Sequence, residues 1–95
     1  TAELIINEVC RFYSIDSAVL RGTQKNKTTA EARQVAMYLI RKLAEMSYPD
    51  IGKEFGDRDH STIMHSLDKV EKQMRTDPAF AEKVKEITTN INSKK

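Results

Sequence analysis

The sequence is poor in residues that break or staple a chain. Of 95 residues, three are Gly, two are Pro, one is Cys and none is Trp. The lone Cys10 cannot close an internal disulfide, and a reducing cytosol suits it. No His or basic cluster lies beside it in sequence, so it reads as half-buried packing on the first helix rather than a reactive thiol. No apolar run reaches the length of a membrane-spanning helix, and no signal-peptide pattern is present. Strand-like alternation is absent, whereas helical periodicity recurs. There is no Gly-x-x-x-x-Gly-Lys-Ser/Thr, hence no phosphate-binding loop of that type. What remains is an all-α chain of about six helices, large enough for one core. It is expected to be a single domain over residues 1–95. It starts at Thr1 without Met, which is expected of a piece of a longer protein.

Charge is unevenly spread. The net charge is +2, yet Arg21 to Lys42 holds six basic residues and one acidic, a net +5 that leaves −3 for the rest. In an arbitrary protein such a stretch is a solvated surface. It becomes a polyanion-binding face when a nucleic-acid-reading element lies next to it.

That element is predicted in residues 48–70. Pro49 suits the first turn of a short helix, and Ile51 and Phe55 lie one turn apart on its inner face. Gly52 is small enough for a close crossing, and Gly56 fits a left-handed stop. Asp59 can cap the next helix by accepting from the N–H of Ser61 or Thr62. Ile63, Leu67, Val70 and Met74 make that helix's inward stripe, while Ser61, Thr62, His65 and Lys69 lie on the other side. Short hydrogen-bonding side chains and imidazoles at an exposed helix start are what a helix-turn-helix uses to reach base edges.

The other segments frame this unit. Residues 2–13 form an amphipathic helix with Ile5, Ile6, Val9, Phe12 and Tyr13 inward. Ser14 or Asp16 caps a short helix ending near Leu20 and closed by Gly22. Residues 22–28 are polar and aperiodic, a loop. Residues 29–46 are the longest helix, capped by Thr28 or Thr29, with Val35, Ala36, Leu39, Ile40 and Leu43 inward. Arg33, Met37 and Arg41 are expected along its outer side, spaced to meet one DNA strand, with Gln34 beside them. Gln34 and Arg41 are read as phosphate contacts. Arg33 is read equally as a phosphate contact or as a brace paired with an acidic neighbour. Asp77 and Pro78 open the last helix, whose Phe80, Val84, Ile87 and Ile91 cover the core.

The run Asp57-Arg58-Asp59-His60-Ser61-Thr62-Ile63-Met64-His65 follows Ile51-Gly52-x-x-Phe55-Gly56. Together with Ala32 to Leu39 upstream it resembles the C-terminal DNA-binding domain of the bacterial replication initiators called DnaA. The resemblance covers essentially the whole chain. It implies a Trp-repressor-like helix-turn-helix that recognises origin repeats, the DnaA boxes, in double-stranded DNA. It implies base contacts from Asp59, His60 and Ser61, with Thr62 assisting. It implies a basic residue entering the minor groove at Lys25, with Lys27 nearby. Arg58 belongs to the same signature, and Gln34, Arg41, Tyr48, Pro49 and His65 are expected at phosphates. The sequence departs from the family pattern at Lys25 for Arg, Tyr48 for an aliphatic residue, Asp57 for Gly and Ser61 for Thr. Lys25 lacks arginine's planar fork for a narrow minor groove. No cofactor is expected in this domain, since ATP belongs to an ATPase domain outside it. Replication regulators and acidic phospholipids are further partners implied for the full protein, with a cytoplasmic, nucleoid-associated location. The domain alone is expected to be monomeric.

Other chemistries fit less well. His60 and His65 are five apart, about 140° around a helix, whereas paired zinc ligands favour i, i+4. Asp57 and Asp59 have no nucleophile or evident substrate pocket beside them, so no enzyme is expected. The rival reading is a helical protein-interaction module, from which salt-dependent binding to duplex is not expected.

Overall fold

The computed structural model describes residues 1–94, and among them every regular element is helical. Six α-helices follow in order: α1 (Ala2–Tyr13), α2 (Ser17–Arg21), α3 (Lys27–Leu39), α4 (Tyr48–Glu54), α5 (His60–Thr76) and α6 (Pro78–Asn92). A π-helical turn, Ile40–Ala44, extends α3.

Local chemistry sets most of the boundaries. Thr1 caps α1 through Leu4 N–H, and Ser47 caps α4 through Asp50 N–H ahead of Pro49. Asp77 accepts from Phe80 N–H at 3.1 Å ahead of Pro78. Of the two remaining caps, one is decided between its alternatives and one differs. Ser14 sits at φ 55° as the left-handed C-cap of α1, so Asp16 caps α2. Asn26, not Thr28 or Thr29, opens α3: its Oδ1 accepts from Thr29 N–H at 2.9 Å, which shortens the loop and places Thr29 inside the first turn. Asn is the stronger capping residue of the three. The helix also ends earlier than predicted, because the chain turns left-handed at Glu45 (φ 54°).

Helix α3 is the axis of the domain, packed against α1, α2 and α5. Being wrapped on several sides, it buries more than one stripe. Val35, Ala36, Leu39 and Ile40 are buried as the pattern predicts, with Leu43 partly so, but Ala32, Met37 and Arg33 are buried as well. Of the outer row expected from Arg33, Met37 and Arg41, only Arg41 reaches the surface. On α6 all four predicted residues, Phe80, Val84, Ile87 and Ile91, enter the core. Cys10 is partly buried, and the loss of hydration pushes its thiol pKa up, as suits a packing role.

One buried charge ties the ends of the domain together. Glu8 is 1% exposed. Its carboxylate accepts from Arg11, from Asn90 Nδ2 at 3.2 Å and from Lys94 Nζ at 2.6 Å, linking α1 to α6 and the residues beyond it. The Arg11 hydrogen bond, outweighing the cost of burial, holds its pKa down at about 2. A carboxylate depressed in the folded state stabilises at pH values above its unfolded pKa and loses that contribution as pH falls toward the folded one. A fall from 4.5 to about 2 corresponds to about 3 kcal/mol. Urea titrations should therefore show Glu8→Gln less stable than wild type by up to about 3 kcal/mol at pH 7. The gap should shrink below pH 4.5 and close near pH 2. A gap that stays constant from pH 7 to pH 3 would contradict the ion-pair role.

Candidate nucleic-acid interface

The exposed surface of the helix-turn-helix begins with its turn. Phe55 and Ile51 are buried, and Arg58 N–H donates to the Gly52 carbonyl at 3.1 Å. The chain passes so closely that a Cβ on Gly52 would lie 2.2 Å from the Arg58 carbonyl oxygen. The small residue is thus needed for the turn itself rather than for a helix crossing. Gly56 (φ 75°) and Asp57 (φ 61°) are both left-handed. Asp is among the few residues that tolerate this conformation, which accounts for the departure from Gly at position 57.

Helix α5 then starts in the open. Asp59 Oδ1 accepts from Thr62 N–H at 3.0 Å, one of the two cap partners expected. Asp59, His60, Ser61, Thr62 and His65 are all exposed, while Ile63, Leu67 and Val70 turn to the core. The first turn of α5 therefore presents a carboxylate, a hydroxyl pair and an imidazole, backed by a rigid apolar seat.

Two lysines of the α2–α3 loop meet the same helix further along. A concavity of about 300 Å³ is lined by Lys25, Lys27, Ala30, Glu31 and Gln34 on one side and by Lys69 and Gln73 of α5 on the other. Lys25, Lys27 and Lys69 are exposed, and none has a carboxylate within ion-pair distance among the described residues. Glu31, the acid in this lining, is engaged by Tyr13 Oη at 2.7 Å and Lys83 Nζ at 2.9 Å. Lys69 was not among the residues expected to touch DNA, although its spacing one turn after His65 is legible in the sequence.

The loop that carries Lys25 is held from below by two arginines. Arg33 Nε donates to the Leu20 carbonyl at 2.7 Å, Nη1 to Gln24 at 2.9 Å and Nη2 to Val19 at 3.2 Å. Burial, and then the Arg58 charge, lower its pKa. Arg58 donates to the carbonyls of Gly22 at 2.6 Å, Phe55 at 2.9 Å and Arg21 at 3.5 Å. Together they satisfy the Leu20 and Arg21 carbonyls, which the end of α2 leaves without helical partners and where cations are also favoured by the helix dipole. Of the two readings of Arg33, the structure gives the brace, with backbone carbonyls in place of an acidic partner. It is not available to a phosphate. Arg58, counted with the DNA-contact residues, likewise points its guanidinium at the fold. Nothing in their spacing announced this, because the acceptors are main-chain atoms.

Before α4, the Arg41 guanidinium lies 4.4 Å from the centre of the Tyr48 ring, and its Nη1 donates to the Met46 carbonyl at 2.8 Å. The aromatic residue at position 48 thus serves as a platform that fixes Arg41 beside the start of α4. Pro49, next to it, is exposed. Arg21, the first basic residue of the rich stretch, is paired with Glu3 at 2.8 Å and Glu54 at 2.9 Å and joins α1, α2 and α4.

A six-helix fold whose two-helix unit leaves a capped, polar helix start uncovered defines the helix-turn-helix class of DNA-binding domains. The comparisons with known proteins agree. The family model described as the bacterial DnaA protein helix-turn-helix matches residues 2–70. Chromosomal replication initiator proteins DnaA from Caldanaerobacter subterraneus subsp. tengcongensis and from a Geobacter species are 38% and 42% identical, each over 96% of this chain and 20% of their own length. That of Limosilactobacillus fermentum is 43% identical over 81% of this chain and 18% of its own. A crystal structure of a DNA replication initiation factor superposes with a TM-score of 0.85 at 30% identity, covering 95% of this chain and 27% of that one. The chain belongs to the bacterial DnaA helix-turn-helix family. It spans about a fifth of the length of the curated relatives it matches.

Proposed function

We propose that this domain binds double-stranded DNA sequence-specifically, at the DnaA-box repeats of a replication origin, as the recognition part of an initiator. The observation that carries the reading is the capped, exposed start of α5, on a domain that also exposes Lys25, Lys27 and Lys69 around one concavity and holds Arg41 against Tyr48. Asp59, His60 and Ser61 read base edges in the major groove, and Thr62 assists. One carboxylate oxygen of Asp59 caps the helix while the other accepts from a cytosine amino group, the pairing a carboxylate makes there. Lys25 enters the minor groove. Gln34, Lys27, Arg41, Tyr48, Pro49, His65 and Lys69 hold phosphates. Phosphate contacts set the register and base contacts choose the site.

His60 gives the sharpest test, because it is exposed and supports no part of the fold. His60→Ala should lower affinity for a box duplex by about 5- to 100-fold, the effect of losing one good base contact. It should leave binding to a scrambled duplex unchanged. Equal loss on both duplexes would remove His60 from the base-reading set. The rival reading, a protein-interaction module, is favoured by no observation as specific as this surface.

A further inference from the structure

Met64 is the large hydrophobic side chain left exposed among the described residues, at 45%. A single exposed apolar residue on a protein surface is ordinary. The position of this one is not. It lies on α5 four residues after His60 and three after Ser61, so the three share one face of the helix. It is displaced from the buried Ile63, Leu67 and Val70, and it packs into no cluster of the core. The neighbouring positions of that face, His60, Ser61, His65 and Asp68, are all polar and exposed. An apolar, flexible thioether has no polar partner to seek here and loses nothing by being covered.

We infer that Met64 reads a thymine by packing its Sδ–Cε end against the 5-methyl group in the major groove. That methyl is the one apolar feature a base pair displays there, and it distinguishes T·A from the other pairs. The inference rests on the DNA-binding reading above and adds to it a contact of the opposite polarity. Ser61 stands where the resemblance expects Thr, so the face has lost one methyl for thymine contact. Met64, one turn along, restores apolar surface to it.

The test uses a duplex carrying one DnaA box and a set in which each thymine in turn is replaced by deoxyuridine, which removes a 5-methyl and nothing else. Affinities are measured for wild type, Met64→Ala and Met64→Leu. Because Met64 is exposed, neither substitution disturbs the core. Wild type should lose about 3- to 5-fold at one or two thymines, the worth of one buried methyl. Met64→Ala should bind the unmodified box with the same 3- to 5-fold loss and show no further loss with deoxyuridine at those positions. Met64→Leu should keep the sensitivity. The inference is overturned if Met64→Ala retains the full deoxyuridine penalty at every position, or if wild type shows none. A box preferred over scrambled duplex in that event leaves the DNA-binding reading standing. Equal binding to box and scrambled duplex by wild type brings both down.

Discussion

Gly52→Ala is expected to lower the melting temperature by more than about 10 °C, the largest effect of any single methyl in this domain. The new Cβ would sit 2.2 Å from the Arg58 carbonyl oxygen and 3.3 Å from its carbon. Both partners in this clash are backbone, so no side chain can swing aside. The Arg58 N–H to Gly52 carbonyl bond, at 3.1 Å, pins the same two residues together. Relief requires parting α4 from the turn, which also withdraws Ile51 and Phe55 from the core. Overpacking of this kind costs about 3 kcal/mol or more. Gly56→Ala is the internal control. At φ 75° it pays only the left-handed penalty, about 1–2 kcal/mol, and meets nothing nearer than 3.8 Å. Thermal unfolding of the two variants side by side checks the account. Equal effects would show that conformation rather than close approach governs the turn.

Arg33→Met is the second large effect. It keeps the aliphatic packing and removes the guanidinium. The carbonyls of Leu20 and Gln24 lose their donor at once, that of Val19 keeps only the Gly22 N–H, and the one on Leu20 meets Arg33 in a buried bond. Hydrogen bonds from a charged donor contribute about 1.5–3 kcal/mol each, with incomplete additivity, so a loss of about 3–4 kcal/mol is expected in urea unfolding. Lysine should not rescue it, since a point charge cannot span three carbonyls that a planar fork reaches. The damage should be felt beyond stability. Gln24 precedes Lys25, and Arg33 is the strut under the loop that would enter the minor groove. Affinity for duplex should therefore also fall under conditions where circular dichroism shows the variant still folded. A variant as stable as wild type would return Arg33 to the surface.

These two residues also show where a sequence is legible and where it is not. Caps are local, so Asp59 with Thr62, Asp77 with Phe80 and Pro49 at the start of α4 follow from neighbours in the chain. The inward stripes of α5 and α6 follow from spacing alone. Gly52 was legible as a demand for smallness, though not that the demand comes from the Arg58 carbonyl. Arg58 and Glu8 were not legible, and Arg33 was legible only as one of two readings, a brace whose partners were not in view. Their partners lie on other helices or are main-chain atoms, and no periodicity encodes a carbonyl. Met37 and Arg33 were assigned outward because one stripe was allowed to α3, whereas a central helix is covered on several sides. The interface divides in the same way. Its polar helix start was plain from the residues, while Lys69 joined it only when α5 was seen to cross the loop of Lys25 and Lys27.

The central claim is that this surface selects a DNA sequence and holds it by charge. Fluorescence anisotropy with a duplex carrying one DnaA box and a scrambled duplex of equal composition, each at two salt concentrations, tests it directly. Tighter binding to the box, with both affinities falling as salt rises, is the predicted result. Equal binding to the two duplexes would contradict the selection, and no binding to either at low salt would contradict the whole claim and leave the interaction-module reading in its place.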